Sequence, residues 1–137
     1  MMKAFIDSNL LVYLNTISDI KERIPYEEFY ISTISKYKTY TDALVLDELI
    51  YISKKKYGIP YNLSLEFIDS IVKPYVAIVS IGEEEFEKAK KYITKYGLKP
   101  SNALHLGAME TNSISVLVSE DKEFEKVPEV RRLWITY

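Results

Sequence analysis

The chain has 137 residues, 47% hydrophobic and 28% charged, with a formal charge of −2, a single His and no Cys. That size and balance predict one globular domain, 1–137, expected in the cytoplasm, with no secretory leader and no apolar run near the ~20 residues a bilayer crossing needs. The missing Cys excludes disulfide and thiol chemistry and the usual structural zinc sites, leaving oxygen-ligated hard cations, and the acidic balance excludes holding nucleic acid by bulk charge alone.

The opening run MMKAFIDSNL climbs through Lys3, Ala4, Phe5 and Ile6 into Asp7 and turns polar at Ser8 and Asn9. This predicts a buried strand ending in a carboxylate, at the edge of an open α/β sheet where ligands of such folds bind. LLVYLN follows as a helix with Asp7 or Ser8 as N-cap, so capping alone is the plain account of Asp7. In 18–38, Pro25 suits the first turn of a second helix ending near Lys36 to Lys38, striped by Tyr30, Ile34 and Tyr37. KTYTDALVLDELIYISKKKYG (38–58) reads as the best-marked helix, capped by Thr41 or Asp42 and stopped by Gly58 with Pro60. Its last turn carries Lys54, Lys55 and Lys56, either as a solvated basic end that complements the helix dipole or as phosphate contacts.

YNLSLEFIDSIVK (61–73) repeats apolar residues at Leu65, Ile68 and Val72 and at Leu63, Phe67 and Ile71, which predicts a well-buried fourth helix ended by Pro74. PYVAIVSI is a β-branched strand. Ser80 with Glu83 resembles a capping box for EEEFEKAKKYITKYG, whose Phe86, Ala89 and Ile93 share a face and whose C-cap is Gly97. LKPSNALHLGAMETN (98–112) opens a helix at Pro100 and Ser101, and its small residues Ala103, Gly107 and Ala108 would let it lie close to a sheet. SISVLVSEDKEF gives a strand, Ser115 to Val118, running into Ser119, Glu120 and Asp121, and RRLWITY a last short strand. Strands alternating with helices predict an α/β fold with a central parallel sheet covered on both faces, a three-layer α/β/α sandwich.

Four polar positions fall where strands end or helices begin: Asp7, Glu48, Asn102 and Asp121. Asp7 and Asp121 each follow an apolar strand and should emerge at one edge of the sheet. Glu48 is set amid VLDELIYI, where an unpaired carboxylate is costly to bury and a cation would be a partner. Asp47 points about 100° away around the helix and does not share that role.

These residues resemble the PIN domain family, a metal-dependent nuclease fold found in VapC-type toxins of prokaryotic toxin–antitoxin pairs, over nearly the whole chain. FIDSNLLVYL is similar to the opening strand with its first acid at Asp7, and LVLDELIYISKKKYG to the second motif with its Glu at Glu48. PSNALHLGAM is similar to the third motif, and LVSEDKEFEKV to the fourth, with Ser119 and Asp121 matching its hydroxyl and acid. The resemblance implies hydrolysis of a phosphodiester in RNA, with Mg²⁺ or Mn²⁺ held by Asp7, Glu48, Asp121 and, at the third-motif position, Asn102. It also implies a cognate antitoxin and a homodimer. Ser8 and Ser119 would orient the acids by hydrogen bonds, and Glu120 lies beside them. The family's third motif normally reads Asp-Ala-x-His, so Asn102 is a departure: its amide oxygen can ligate but brings no charge. Three accounts stand, namely a natural variant of lowered activity, an inactivating substitution, or rescue by Glu120 or Asp42.

Asn9 is expected to stabilise the strand-to-helix turn, and His105 reads as a satisfied, half-buried side chain before it reads as a general base. Lys54, Lys55, Lys56 and Lys122 are the candidate grip on RNA. Tyr13, Tyr51 and Tyr92 lie on helices and are expected to pack in the core or a dimer rather than stack on bases. The alternative to a nuclease is a catalytically silent module of the same fold that binds RNA or a partner protein. A phosphate-handling domain with an aspartyl nucleophile is disfavoured, because Asp7 is followed by Ser8 and Asn9 and not by a second acid.

Overall fold

The computed structural model describes residues 1–136, so Tyr137, the end of the expected last strand, lies outside the described residues. Five parallel strands, β1 (Lys3–Ile6), β2 (Lys38–Asp42), β3 (Val76–Val79), β4 (Val116–Val118) and β5 (Arg131–Leu133), form one sheet in the order β3-β2-β1-β4-β5. Between them run α1 (Ser8–Thr16), α2 (Ile20–Lys36), α3 (Ala43–Tyr57), α4 (Tyr61–Phe67), α5 (Glu83–Tyr96) and α6 (Pro100–Thr111). A π-helical turn (Ile68–Val72) extends α4, and a 3-10 turn (Lys122–Lys126) precedes β5.

The chain steps outward from β1 to β2 and β3, then returns to the far side of β1 for β4 and β5. Right-handed crossovers therefore put α1 to α4 on one face and α5 with α6 on the other. The packing divides the same way: α1 lies against α2 and α3, α3 against α4, and α5 against α6. Ala4, Phe5 and Ile6 of β1 and Leu117 and Val118 of β4 are fully enclosed between these layers. The step direction reverses between β1 and β4, and at such a reversal the carboxyl ends of the strands open into a crevice.

Five local expectations are corrected. The first four residues assigned to the third helix are strand β2, with Asp42 at its end as the true N-cap of α3, accepting from Val45 N–H at 3.0 Å. Its threonines read as polar yet are buried, because Thr39 and Thr41 spend their hydroxyls on the carbonyls of Tyr75 and Ile6. The second helix begins before its proline: Asp19 caps it through Glu22 N–H, and Pro25 sits on an exposed face where water can satisfy the carbonyl its ring leaves unpaired. α4 is not well buried. Leu63 and Leu65 face outward while Ser64 is enclosed, and Asn15 of α1 donates to both Ser53 and Ser64 at 3.0 Å.

The N-cap of α5 is Gly82 and not Ser80; the Glu85 carboxylate reaches back to Gly82 N–H at 2.7 Å, and Phe86 is exposed while Glu85, Ala89 and Tyr92 face inward. Of the small residues of α6, Gly107 serves a helix contact. A Cβ on Gly107 would stand 2.3 Å from the Glu85 carbonyl oxygen, so it is α5 that comes close.

Candidate functional site

Asp7 ends β1 and is 4% exposed. Its Oδ1 accepts Ser8 N–H at 2.8 Å, which caps α1, and its Oδ2 accepts the Ser119 hydroxyl at 2.7 Å. Ser119 follows β4 with no exposure, and its Oγ also accepts Asp121 N–H at 3.1 Å. One hydroxyl thus ties the acid after β1 to the backbone of the acid after β4. On the other side, Ser8 Oγ donates to Glu48 Oε1 at 2.8 Å, which aims the half-buried α3 carboxylate at the same crevice. Asn9 Oδ1 accepts Glu120 N–H at 3.1 Å and lies 3.3 Å from the Ser119 hydroxyl, so its side chain braces the turn after β4 and not, as expected, its own.

Asn102, in the first turn of α6 and 6% exposed, reaches Asp121 from the opposite layer. Its Nδ2 donates to Asp121 Oδ2 at 3.0 Å and to Glu123 Oε1 at 2.9 Å. Glu123 further accepts Lys99 N–H at 3.0 Å, and its own N–H donates to Asp121 Oδ1 at 2.9 Å. Sequence reasoning missed Glu123. The signal was its place two residues past Asp121, which a tight turn brings back to the same side.

Neither of the two suggested rescuers faces Asn102 through a hydrogen bond. Glu120 is held by the Tyr13 hydroxyl, and Asp42 is fully buried with Oδ2 against His105 Nδ1 at 2.6 Å. His105 is itself enclosed, not half-buried, and its Nε2 lies 3.9 Å from Asp7 Oδ1. Burial alone would push this imidazole down, but the Asp42 hydrogen bond and the charges of Asp42, Asp7 and Glu48 outweigh it and raise its pKa. Burial likewise lifts the Asp7 carboxyl above the usual range, with Glu48 adding to it, while His105, Ser119 and Ser8 N–H pull the other way.

The sign of the His105 shift sets a pH dependence. The folded chain keeps this proton to higher pH than the unfolded one, so its stabilising contribution is complete below about pH 6.5 and drains away as pH rises through the folded value. Asp7 acts in the same direction, but from the ordinary carboxylate range upward. Thermal unfolding followed over roughly pH 6 to 9 should show Tm falling in the wild type, and that component should be missing in His105→Gln. Parallel curves would remove His105 as its source.

Glu48 and Ser8 also line a cleft together with Tyr13, Tyr57, Lys56 and Glu120. Of the lysine run only Lys56 lines it: Lys54 and Lys55 lie over the rings of Tyr61 and Tyr51 at 5.6 and 5.3 Å. Lys122 is exposed directly after Asp121. Tyr92 is buried as expected, whereas Tyr51 is exposed and Tyr13 forms a wall of the cleft.

Asp7 and Glu48 offer the hard oxygen donors that suit a divalent cation. Asn102 does not fit as it stands, since it turns N–H groups and not a lone pair toward its acids. Among the described residues no group of three or more Asp, Glu and His side chains is arranged to hold a metal ion. No described helix is long and apolar enough to cross a membrane.

The family model described as the PIN domain matches residues 4–130. No curated protein matches the chain by sequence. Among solved structures, the sarcin–ricin loop cleaving toxin VapC20 of Mycobacterium tuberculosis is similar at 16% identity and a TM-score of 0.73, covering 93% of this chain and 98% of that one. VapBC2 from Rickettsia felis, bound to a DNA fragment from its promoter, is similar at 17% and 0.70, covering 97% and 98%. A toxin–antitoxin complex from Klebsiella pneumoniae follows at 18% and 0.69, covering 93% and 94%.

Proposed function

This chain belongs to the PIN domain family, and from that premise we propose that it hydrolyses phosphodiester bonds in RNA as the toxin of a toxin–antitoxin pair. The observation that carries the reading is the hydrogen-bonded series from Glu48 through Ser8, Asp7 and Ser119 to Asp121, gathered where β1 and β4 open. Asp7 and Glu48 would hold Mg²⁺ or Mn²⁺, Asp121 being engaged by Asn102 and Glu123, and such an ion, when bound, would polarise the scissile phosphate and lower the pKa of a water.

The chain's own side chains do the rest of the work. Ser8 and Ser119 fix the Glu48 and Asp7 carboxylates by donating to them, so neither acid has to be ordered when substrate arrives. His105, anchored by Asp42, supplies positive charge behind Asp7 when protonated, and so offsets the burial of that acid. Lys56, which lines the cleft, would meet a phosphate there, Lys122, exposed next to Asp121, would add a contact, and Lys54 and Lys55 would act from the outer surface. Relatives of this fold are a toxin that cuts the sarcin–ricin loop and toxins captured with antitoxins, which supports RNA as substrate and an antitoxin as partner. A cytoplasmic homodimer completes the proposal.

The test is cleavage of structured and unstructured RNA with Mg²⁺ or Mn²⁺. Cutting should stop on chelation and fall about 100-fold in Glu48→Gln, while Lys56→Ala should weaken RNA binding and reduce its salt slope by about one. One observation favours a second reading, a silent RNA- or protein-binding module: the amide at position 102. RNA bound but uncut with either ion would establish that reading instead.

A further inference from the structure

The Asn102 amide has both N–H groups committed, to Asp121 Oδ2 at 3.0 Å and to Glu123 Oε1 at 2.9 Å. An amide oxygen turned between two carboxylates would meet acceptors only, whereas the nitrogen gives each carboxylate a donor. Two backbone N–H groups complete the arrangement, Lys99 onto Glu123 and Glu123 onto Asp121. Every acid on this side of the crevice therefore has a partner from the protein itself.

We propose that Asn102 stands in for a cation here: its amide clamps Asp121 to Glu123, closes this half of the crevice to metal, and leaves Asp7 with Glu48 as the place where the chain takes a divalent ion. The inference rests on the nuclease reading of the crevice and sharpens it to a site with one metal position where an acid at 102 would create another. An Asp at 102 would bring a third carboxylate against Asp121 and Glu123 and remove the donor between them. Like charges this close cannot all stay ionised without a counter-ion, so the metal-free form would be strained and a divalent ion would relieve it.

Mn²⁺ binding to the full chain, counted by calorimetry and by electron paramagnetic resonance, tests this alongside Tm with and without Mn²⁺. The wild type should bind a single ion, and Asn102→Asp should bind one more. The metal-free variant should melt lower by about 4 °C or more, with Mn²⁺ restoring it. Asn102→Asp combined with Glu123→Gln should recover most of the metal-free Tm and lose the added ion. No ion or a pair of ions on the wild type, an unchanged count in Asn102→Asp, a metal-free Tm at or above wild type, or an added ion that survives Glu123→Gln would each overturn the proposal. RNA cleavage assayed in parallel separates the two readings. An added ion with no cutting by either protein would sink the nuclease and leave the clamp, whereas cutting by a wild type carrying two ions would do the reverse.

Discussion

Asp7→Asn should lower RNA cleavage by about 10³-fold, roughly 4 kcal/mol of activation free energy, and at the same time raise Tm. The loss follows from position: this side chain is the middle of the hydrogen-bonded series, receiving Ser119 on one oxygen and Ser8 N–H on the other. The gain follows from burial. Enclosure lifts the Asp7 carboxyl above its usual range and Glu48 adds like charge, so its ionised form is a cost to folding that His105, Ser119 and Ser8 N–H offset only in part. An amide of the same shape keeps an oxygen to cap α1 and has no charge to desolvate. The expected gain is about 1 kcal/mol, or a few degrees. Cleavage above a tenth of wild type would remove Asp7 from the chemistry, and a lower Tm would show its charge to be net stabilising where it lies.

The second large effect is structural. Gly107→Ala should lower Tm by roughly 5–10 °C, against the ordinary rule that Ala for Gly inside a helix gains ~0.5–1 kcal/mol. The added methyl would sit 2.3 Å from the Glu85 carbonyl oxygen, 3.1 Å from its carbon and 3.4 Å from Ala89 N, all backbone of α5. Side chains can swing aside; a helix has to move as a body. Overpacking of this kind costs ~1–3 kcal/mol or more, so the clash wins. Moving α5 against α6 would also disturb Glu85 on Gly82 and shift the helix that carries Asn102 and His105. An unchanged Tm would mean that the two helices do not approach this closely.

Where a residue type permits one conformation or one place, the sequence was informative. Gly58 and Gly97 end their helices at φ +69 and +66, as expected of left-handed caps, and the apolar run before Asp7 is strand β1. The neighbourhood of Asp7, Ser8, Glu48, Ser119 and Asp121 was likewise legible, since acids that follow parallel strands share an edge. Buried polar groups with main-chain partners were illegible. Thr39 and Thr41 look like a helix approach because only the fold supplies the carbonyls they bond to, and Ser64 is enclosed between exposed leucines because Asn15 reaches it. Asp42 was visible as a cap but not as the anchor of His105, which lies 63 residues away in sequence. Glu123 was passed over because its role depends on a turn, not on a strand end.

The bond from Ser119 to Asp7 spans 112 residues, and β4, a neighbour of β1 in the sheet, is separated from it along the chain by β2 and β3. A chain emerging from the ribosome therefore holds Asp7 and Glu48 long before it possesses Ser119 or Asp121. Contacts of such range are made late, when the loop that separates them has been closed. A nascent chain that ends before β4 therefore lacks both the hydroxyl that holds Asp7 and the acid that lies beyond it.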